Sequence, residues 1–543
     1  MKLRRRTLVA GCTLAMAIVA GALGGTTAAS PGASGGTVVF GAEQEPPCLN
    51  GVLAGCNNTW TSWTVGISFP GLYEILPNGD LRPDLIDGEA KFTKKPFTVT
   101  YKIKQNANWS DGKPVTAQDV IFTLQTILNP KNDVAGRAGY EDIARARAIN
   151  PKTLKLSFRK PYAAWKLLFG GQFGVLPKHA LQGKDFNEVW NTNVNSQTTG
   201  KPIGSGPFIL ESYTKGQSMT MVRNPRFYGK RPQIDKLVFR FITNTDSEIQ
   251  AIKGGEVDAI YPQPQLQLGD LRRTGGLKVL SSAGATYEHI DFNAGKKGFA
   301  LARAPWFRQA FAYSIDRTAL TKQLFGTLKP DLQPLQSLTY QNTQKQYQPH
   351  FGQYTYNPTK AGQIMTSKGC AKGGDGIFVC NGVRASVKYG TTAGNRLREL
   401  SQEIVQAQAK KSGIEVTIDN SPSRIFFPQV SNEDYQLALF AWVGSGDPSG
   451  ITDIYSCGGE SNWMGYCSKK VTDLLKAADQ ELDPAARVKL VNQAGKIMGL
   501  NVPSIPLYQK PTFLVYKSKL QGLADNPTSG GPLWNVENWS VSG

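Results

Sequence analysis

Histidine is scarce: the chain has three in 543 residues, His179, His289 and His350, far apart in sequence. A histidine-based metal centre or general base therefore has little to draw on. No HExxH, GxSxG or P-loop pattern occurs, which removes zinc proteases, the hydrolase nucleophile elbow and Walker-type nucleotide sites. Beyond the N-terminus there is no apolar run of about eighteen residues, so nothing there reads as a membrane span. Acid is the minority charge, with 41 Asp and Glu against 61 Lys and Arg. The basic residues are spread along the chain, so the excess reads as solubility and attraction to an anionic cell envelope, not as nucleic-acid binding.

The first residues are a separate unit. "MKLRRRT" is a basic n-region, "LVAGCTLAMAIVAGAL" an apolar h-region, and "TTAAS" offers small residues for cleavage after Ala29. Residues 1–29 read as a signal peptide and the chain as exported. Arg5-Arg6 faintly matches twin-arginine export, but the fuller pattern is missing, and general secretion is the better reading. "VAGC" around Cys12 fits the short lipoprotein pattern, yet Cys12 sits inside the apolar run instead of ending it, so a lipid anchor is the lesser alternative. Loss of the four basic leader residues leaves a mature charge of +16.

Six cysteines remain in three close pairs: Cys48 and Cys56, Cys370 and Cys380, Cys457 and Cys467. Six allow fifteen pairings. Export favours oxidation and short spacing favours local bridges, each worth about 2.7 kcal/mol in the chain-entropy model. The spacings do not suit zinc, and no metal or cofactor site is expected.

A chain of this length exceeds one core, so at least two lobes are expected. Strand and helix patterns alternate almost throughout, giving an α/β fold. "FTVTYKIK" alternates as a half-buried strand. "NWSDGKPVTAQDV" follows: Asp111-Gly112 supplies a turn, and Thr116 with Asp119 forms a capping box for a helix carrying Val120, Leu124 and Ile127. "TLKLSF" and "KLVFRFI" read as strands. "TDSEIQAIKGG" reads as a helix boxed by Thr245 and Glu248, and Asp316 starts a second helix within "APWFRQAFAYSIDRTAL". "YQLALFAW" is a strand buried on both faces.

The residues left for function are aromatic and acidic. Trp442 ends that apolar strand and opens into "GSGDPSG", where α/β proteins build crevices. Gly444, Ser445 and Gly446 let a ligand approach the backbone, Trp442 offers a flat face, and Asp447 a charge for an ammonium group. The competing reading is that Asp447-Pro448 merely starts a turn. Trp60 and Trp63 of "WTSW", Trp463 of "NWMGY" and Tyr287 of "YEHIDFN" are candidate walls, with core packing the alternative. Arg396 and Arg398, at a helix start, could meet a carboxylate or simply be solvated.

"YKIKQNANWSDGKPVTAQDVIFTL", "PIGSGPFIL", "RNPRFYGKRPQIDKLVFRFI", "AIKGGEVDAI", "WFRQAFAYSIDRTAL", "YNPTKAGQIM" and "SIPLYQ" come in this order. Together they resemble bacterial extracellular solute-binding proteins of family 5, the peptide, nickel and opine receptors of ABC importers. The resemblance implies a two-lobe periplasmic-binding-protein-like fold of type II, of the large peptide-binding subclass, closing on ligand. It implies a first lobe over 30–283, with an extra subdomain near 65–200, a second over 284–507, and a return over 508–543. It implies a monomeric, non-enzymatic receptor that hands a peptide, or an oligosaccharide, opine or metal chelate, to a membrane permease and its cytoplasmic ATPase. A secreted hydrolase is the rival class. Peptide members hold the ligand amine with an Asp three residues after the Trp matching Trp442; here Ser445 stands there, which questions recognition of a free amine. The Cys457–Cys467 pair resembles a bridge of dipeptide receptors.

Overall fold

A computed structural model describes residues 35–542 apart from 57, 171–173, 266, 445 and 460. The leader with Cys12, and Ser445, lie outside the described residues. Among the described residues no helix is long and apolar enough to cross a membrane.

Ten strands form one mixed sheet, in the order Glu415–Ile418, Ser386–Gly390, Leu437–Val443, Leu277–Phe292, Ser504–Lys517, Ala259–Ile260, Thr37–Ala42, Lys236–Phe241, Ser218–Arg223, Phe208–Thr214. The strands of 16 and 14 residues at its centre, Leu277–Phe292 and Ser504–Lys517, are antiparallel and hold the sheet together. Their register is regular from Leu277↔Lys517 to Ala283↔Pro511, shifts before Tyr287↔Gln509, and shifts again between Glu288 and His289. Such breaks bend a strand pair and locally relax its ladder. On one side of them the parallel set Thr37–Ala42, Lys236–Phe241 and Ala259–Ile260 packs; on the other lies the parallel set Ser386–Gly390, Glu415–Ile418 and Leu437–Val443. Two large apolar clusters lie against the sheet, and the second reaches across this division to Ile249, Ile252 and Ile260. One gathers Phe40, Trp60, Trp109, Phe239 and Trp539, the other Phe292, Phe311, Tyr389, Tyr455 and Tyr508.

A separate four-stranded antiparallel sheet, in the order Lys91–Lys94, Phe97–Lys102, Thr153–Phe158, Ile143–Asn150, lies on the first cluster. Its inner side chains Val99, Tyr101, Leu154 and Leu156 are fully buried, as the alternation predicts. The helix Ala117–Leu128 carries the predicted capping box. The Asp119 carboxylate accepts from Thr116 N at 2.7 Å, Thr116 Oγ1 at 2.9 Å and, from a distant segment, Lys178 N at 2.9 Å. The turn and helix start are scaffold. The helix Thr245–Lys253 departs from expectation: Asn244 caps it, accepting from Ser247 N at 2.9 Å, and Glu248 points into the core, fully buried. The cap lies one residue earlier than read, because Asn and Thr are both good caps and only the chain direction chooses. All three local disulfides form: Cys48–Cys56, Cys370–Cys380 and Cys457–Cys467.

A contact joins the four-stranded sheet's flank to the second cluster's helices. Ala163 N donates to Asp479 O at 2.6 Å. Burial pushes the Asp479 carboxyl up to about 7; Thr452 and Arg487 oppose the shift, and Asp447 and Asp453 add to it.

Two outcomes follow. Asp119→Ala leaves the Thr116 and Lys178 amides without an acceptor and should cost about 2 kcal/mol, read as a lower denaturation midpoint with ligand affinity unchanged. Asp479 has a folded pKa above its unfolded value, so its ionisation weakens the fold as pH rises toward 7. Asp479→Asn should therefore melt above the parent at pH 8 and lose that advantage by pH 4.

Candidate functional site

The carboxyl ends of both parallel sets point at the register break. From the first set emerge Glu43, just after Thr37–Ala42, and Tyr261 and Gln263, just after Ala259–Ile260. Lys510, at the break itself, donates to Gln263 Oε1 at 2.8 Å, and Gln263 Nε2 donates to Glu43 Oε1 at 2.7 Å. Burial raises the Glu43 carboxyl, with Lys510 opposing; burial lowers the Lys510 ammonium. From the second set comes Arg398, which donates to Glu288 through three contacts of 3.0–3.2 Å and to Thr392 Oγ1 at 3.0 Å. Burial alone would raise Glu288, but Arg398 and then Lys510 outweigh it and hold it below the usual carboxylate range. Lys510 thus lies in the field of acids from both sides.

The loop after Leu437–Val443 closes the other end of this region. Gly444 N donates to Ala285 O at 3.0 Å, and Gln344 Nε2 to Gly446 O at 2.7 Å. Gly446 has φ +84°, and a Cβ there would stand 3.2 Å from Cα of Gly79, itself at φ +84°. Gly79 sits in the hairpin turn between Tyr73–Ile75 and Leu81–Pro83, on the first cluster's side. Two glycines therefore meet between this loop and that hairpin, and a side chain on Gly446 would hold them apart. Behind the loop is a small cavity of about 50 Å³, lined by Tyr287, Ser337, Thr339, Gln341, Gly444 and Ile451.

Trp442 packs at 5.2 Å on Trp463 and 5.4 Å on Phe440, with His289 stacked at 6.2 Å and 13°. Phe427, which meets Phe440 at 6.3 Å, is 39% exposed, so part of the outer side of this group is apolar and open. Tyr287 pairs with Trp442 across the sheet and with Gln509 on the other strand. Trp442, Val443, Gly444, Gly446 and Tyr287 are thus brought together, with Trp463 against them.

Three expected site residues lie elsewhere or are already engaged. Asp447 is held bidentately by Arg487 at 2.6 and 2.8 Å and accepts from Ser449 N at 2.8 Å. Burial would raise its carboxyl, but Arg487 keeps it below the ordinary range. It is a loop brace, not a carboxylate waiting for an amine. Arg396 is a solvated helix-start residue reaching Glu403 at 3.1 Å, while Arg398, two positions on, points inward. Trp60 is completely buried against Phe40 and Phe239 and belongs to the core. Trp63, one turn later, is half-buried, edge-on to Tyr261, and donates to Ser529 O at 3.0 Å. Glu43, Gln263, Glu288, Lys510 and Gly79 were not singled out from the sequence. Glu43 carried a usable signal, an acid directly after an apolar strand; the others had none.

A family model described as bacterial extracellular solute-binding proteins, family 5 middle, matches residues 80–464. The oligopeptide-binding protein OppA of Mycobacterium tuberculosis H37Rv is 27% identical over 505 residues, 90% of this chain and 83% of that protein. The solved periplasmic EDTA-binding protein EppA has a TM-score of 0.85 at 23% identity, covering 94% of this chain and 97% of its own. The oligopeptide-binding protein AppA of Bacillus subtilis, solved with a nonapeptide, has a TM-score of 0.81 at 22% identity, covering 94% and 99%. The fold is theirs. The chain belongs to the bacterial extracellular solute-binding proteins of family 5.

Proposed function

We propose that this protein is the capture receptor of an ABC importer, and that it encloses a peptide or related small solute between residues 35–283 with 508–542 on one side and 284–507 on the other. The observation that carries this reading is the glycine contact, Gly446 on Gly79, beside an open aromatic wall. The two halves are joined by two strands broken in register at one level, which is how a hinge is made from a continuous sheet. A ligand touching both halves binds the closed state better and so shifts the population. The importer's membrane subunits then read closure. The solute leaves unaltered, and the receptor acts as a monomer outside the cytoplasmic membrane.

Peptide is the first ligand class, since the relatives OppA and AppA carry it in their names. One observation favours a second. Asp447, the acid nearest in sequence to Trp442, is neutralised by Arg487, so a free ligand amine finds no ready partner there. An amine-blocked peptide, or a chelate such as the one named for EppA, fits this loop better than a free amino terminus.

A defined peptide pool incubated with the protein should be recovered intact, with a subset retained on the receptor by mass spectrometry; degradation of the pool, or no retention, would overturn the reading. Within the retained subset, Gly446→Ala should weaken binding about tenfold by opposing closure, without lowering the unfolding free energy of ligand-free protein by more than about 1 kcal/mol. Trp442→Phe keeps a ring against Trp463 and should hold stability while reducing affinity. Unchanged affinity would place Trp442 in the core alone.

A further inference from the structure

The basic residues look scattered in sequence, yet the four-stranded sheet sorts them. Its cross-strand register puts Lys91, Thr100, Lys155 and Arg147 in one row, and Thr93, Thr98, Ser157 and Arg145 in the next. Lys102 and Thr153 follow in a third, beside Ile149, which is 50% exposed. These positions alternate with the buried Val99, Tyr101, Leu154 and Leu156 and so face outward, except that Thr98 is itself covered, its hydroxyl shared with Thr93 at 2.9 Å. Lys91, Lys102, Arg145, Arg147 and Lys155 are all exposed. The four strands, KFTK, FTVTYK, IARARAIN and TLKLSF, contain no acidic residue. None of the five cations makes a salt bridge or side-chain hydrogen bond among the described residues. The flanking acids Glu89 and Asp142 are taken by Lys166 and Lys160. Asp87, whose N–H bonds the Lys102 carbonyl, is an exposed acid at one border.

Like charges gathered on one face cost folding energy through mutual repulsion, and among the described residues no ion pair to these five offsets it. We infer that this sheet face is an electrostatic docking surface for an anionic phospholipid bilayer. Charge complementarity sets the sign of the partner, and shape sets its class. The rows span about 15 Å across four strands at the usual strand spacing, an open plane of cations with hydroxyls between them. A plane of phosphate headgroups meets such a face everywhere at once. Nucleic acid single strands seek protruding aromatic rings, and the outward rows carry none. A receptor held this way samples the membrane surface without a covalent anchor, each basic residue adding to the attraction within a Debye length.

The test is co-sedimentation of the mature protein with vesicles of phosphatidylglycerol and phosphatidylcholine, and with phosphatidylcholine alone. The expected result is binding to the anionic vesicles only, lost between about 0.05 and about 0.5 M salt. Arg145→Glu/Arg147→Glu/Lys155→Glu should reduce the partition coefficient by roughly a hundredfold. A control with the same net charge, Lys215→Glu/Lys368→Glu/Lys476→Glu, reverses exposed lysines outside this sheet and should retain most of the binding. Matching thermal melts of both variants confirm that each is folded; if the first fails to fold, Arg147→Gln alone should still lower the partition severalfold. Equal losses in both triple variants would mean net charge and not this face, and would overturn the proposal. So would absence of binding to anionic vesicles, or binding to soluble polyphosphate without binding to vesicles.

Discussion

Everything in this molecule turns on two long strands that cross from one half to the other side by side. Leu277–Phe292 and Ser504–Lys517 are hydrogen-bonded on both sides of a short break, from Ala283 to His289, where the ladder loses register. Regular pairing fixes each half; the break is where the pair can bend at small cost. Both crossings break at the same level, which is the level of the proposed bend; the buried residues around Phe40 and Phe239 lie wholly on one side of it, while the cluster of Phe292 and Phe311 also takes in Ile249 and Ile260. The carboxyl ends of both parallel strand sets open toward that level, so the proposed ligand region and the proposed hinge coincide.

Charge is handled accordingly. Glu288 and Lys510 belong to the two crossing strands, and each is tied outward: Glu288 to Arg398 in the second half, Lys510 through Gln263 to Glu43 in the first. Buried ions left without partners cost several kcal/mol, whereas paired ones are tolerated and hold a geometry. The network therefore keeps the two strands aligned at the level where their ladder cannot. Asp447 with Arg487 does the same for the loop that meets Gly79.

Features set by local order were legible in the sequence. The alternation of Phe97–Lys102, the capping box of Thr116 and Asp119, the helix begun by Asp316 and the three short cysteine loops are decided within a few residues. The family landmarks gave the architecture, and the strand end at Trp442 marked the aromatic group it forms with Phe440 and Trp463. What failed was the direction of side chains on short helices and the choice of distant partners. Trp60 and Trp63 are three apart, and one is core while the other meets Tyr261. Arg396 and Arg398 are two apart, and only the second points inward. Asp447 finds Arg487 forty residues away, which no local pattern announces. The basic face was invisible because its rows combine four strands whose order in space, with Thr153–Phe158 between Phe97–Lys102 and Ile143–Asn150, differs from their order in the chain.

The halves are proposed to close by bending at one level when a solute bridges them. Spin labels at Asn78, in the hairpin turn, and at Lys345, beyond the loop's Gln344 contact, report that motion by pulsed dipolar spectroscopy. Protein stripped of bound solute by unfolding and refolding should show a long, broad distance distribution that narrows and shortens when a retained peptide is added back. One narrow distance, identical in both samples, would contradict the account.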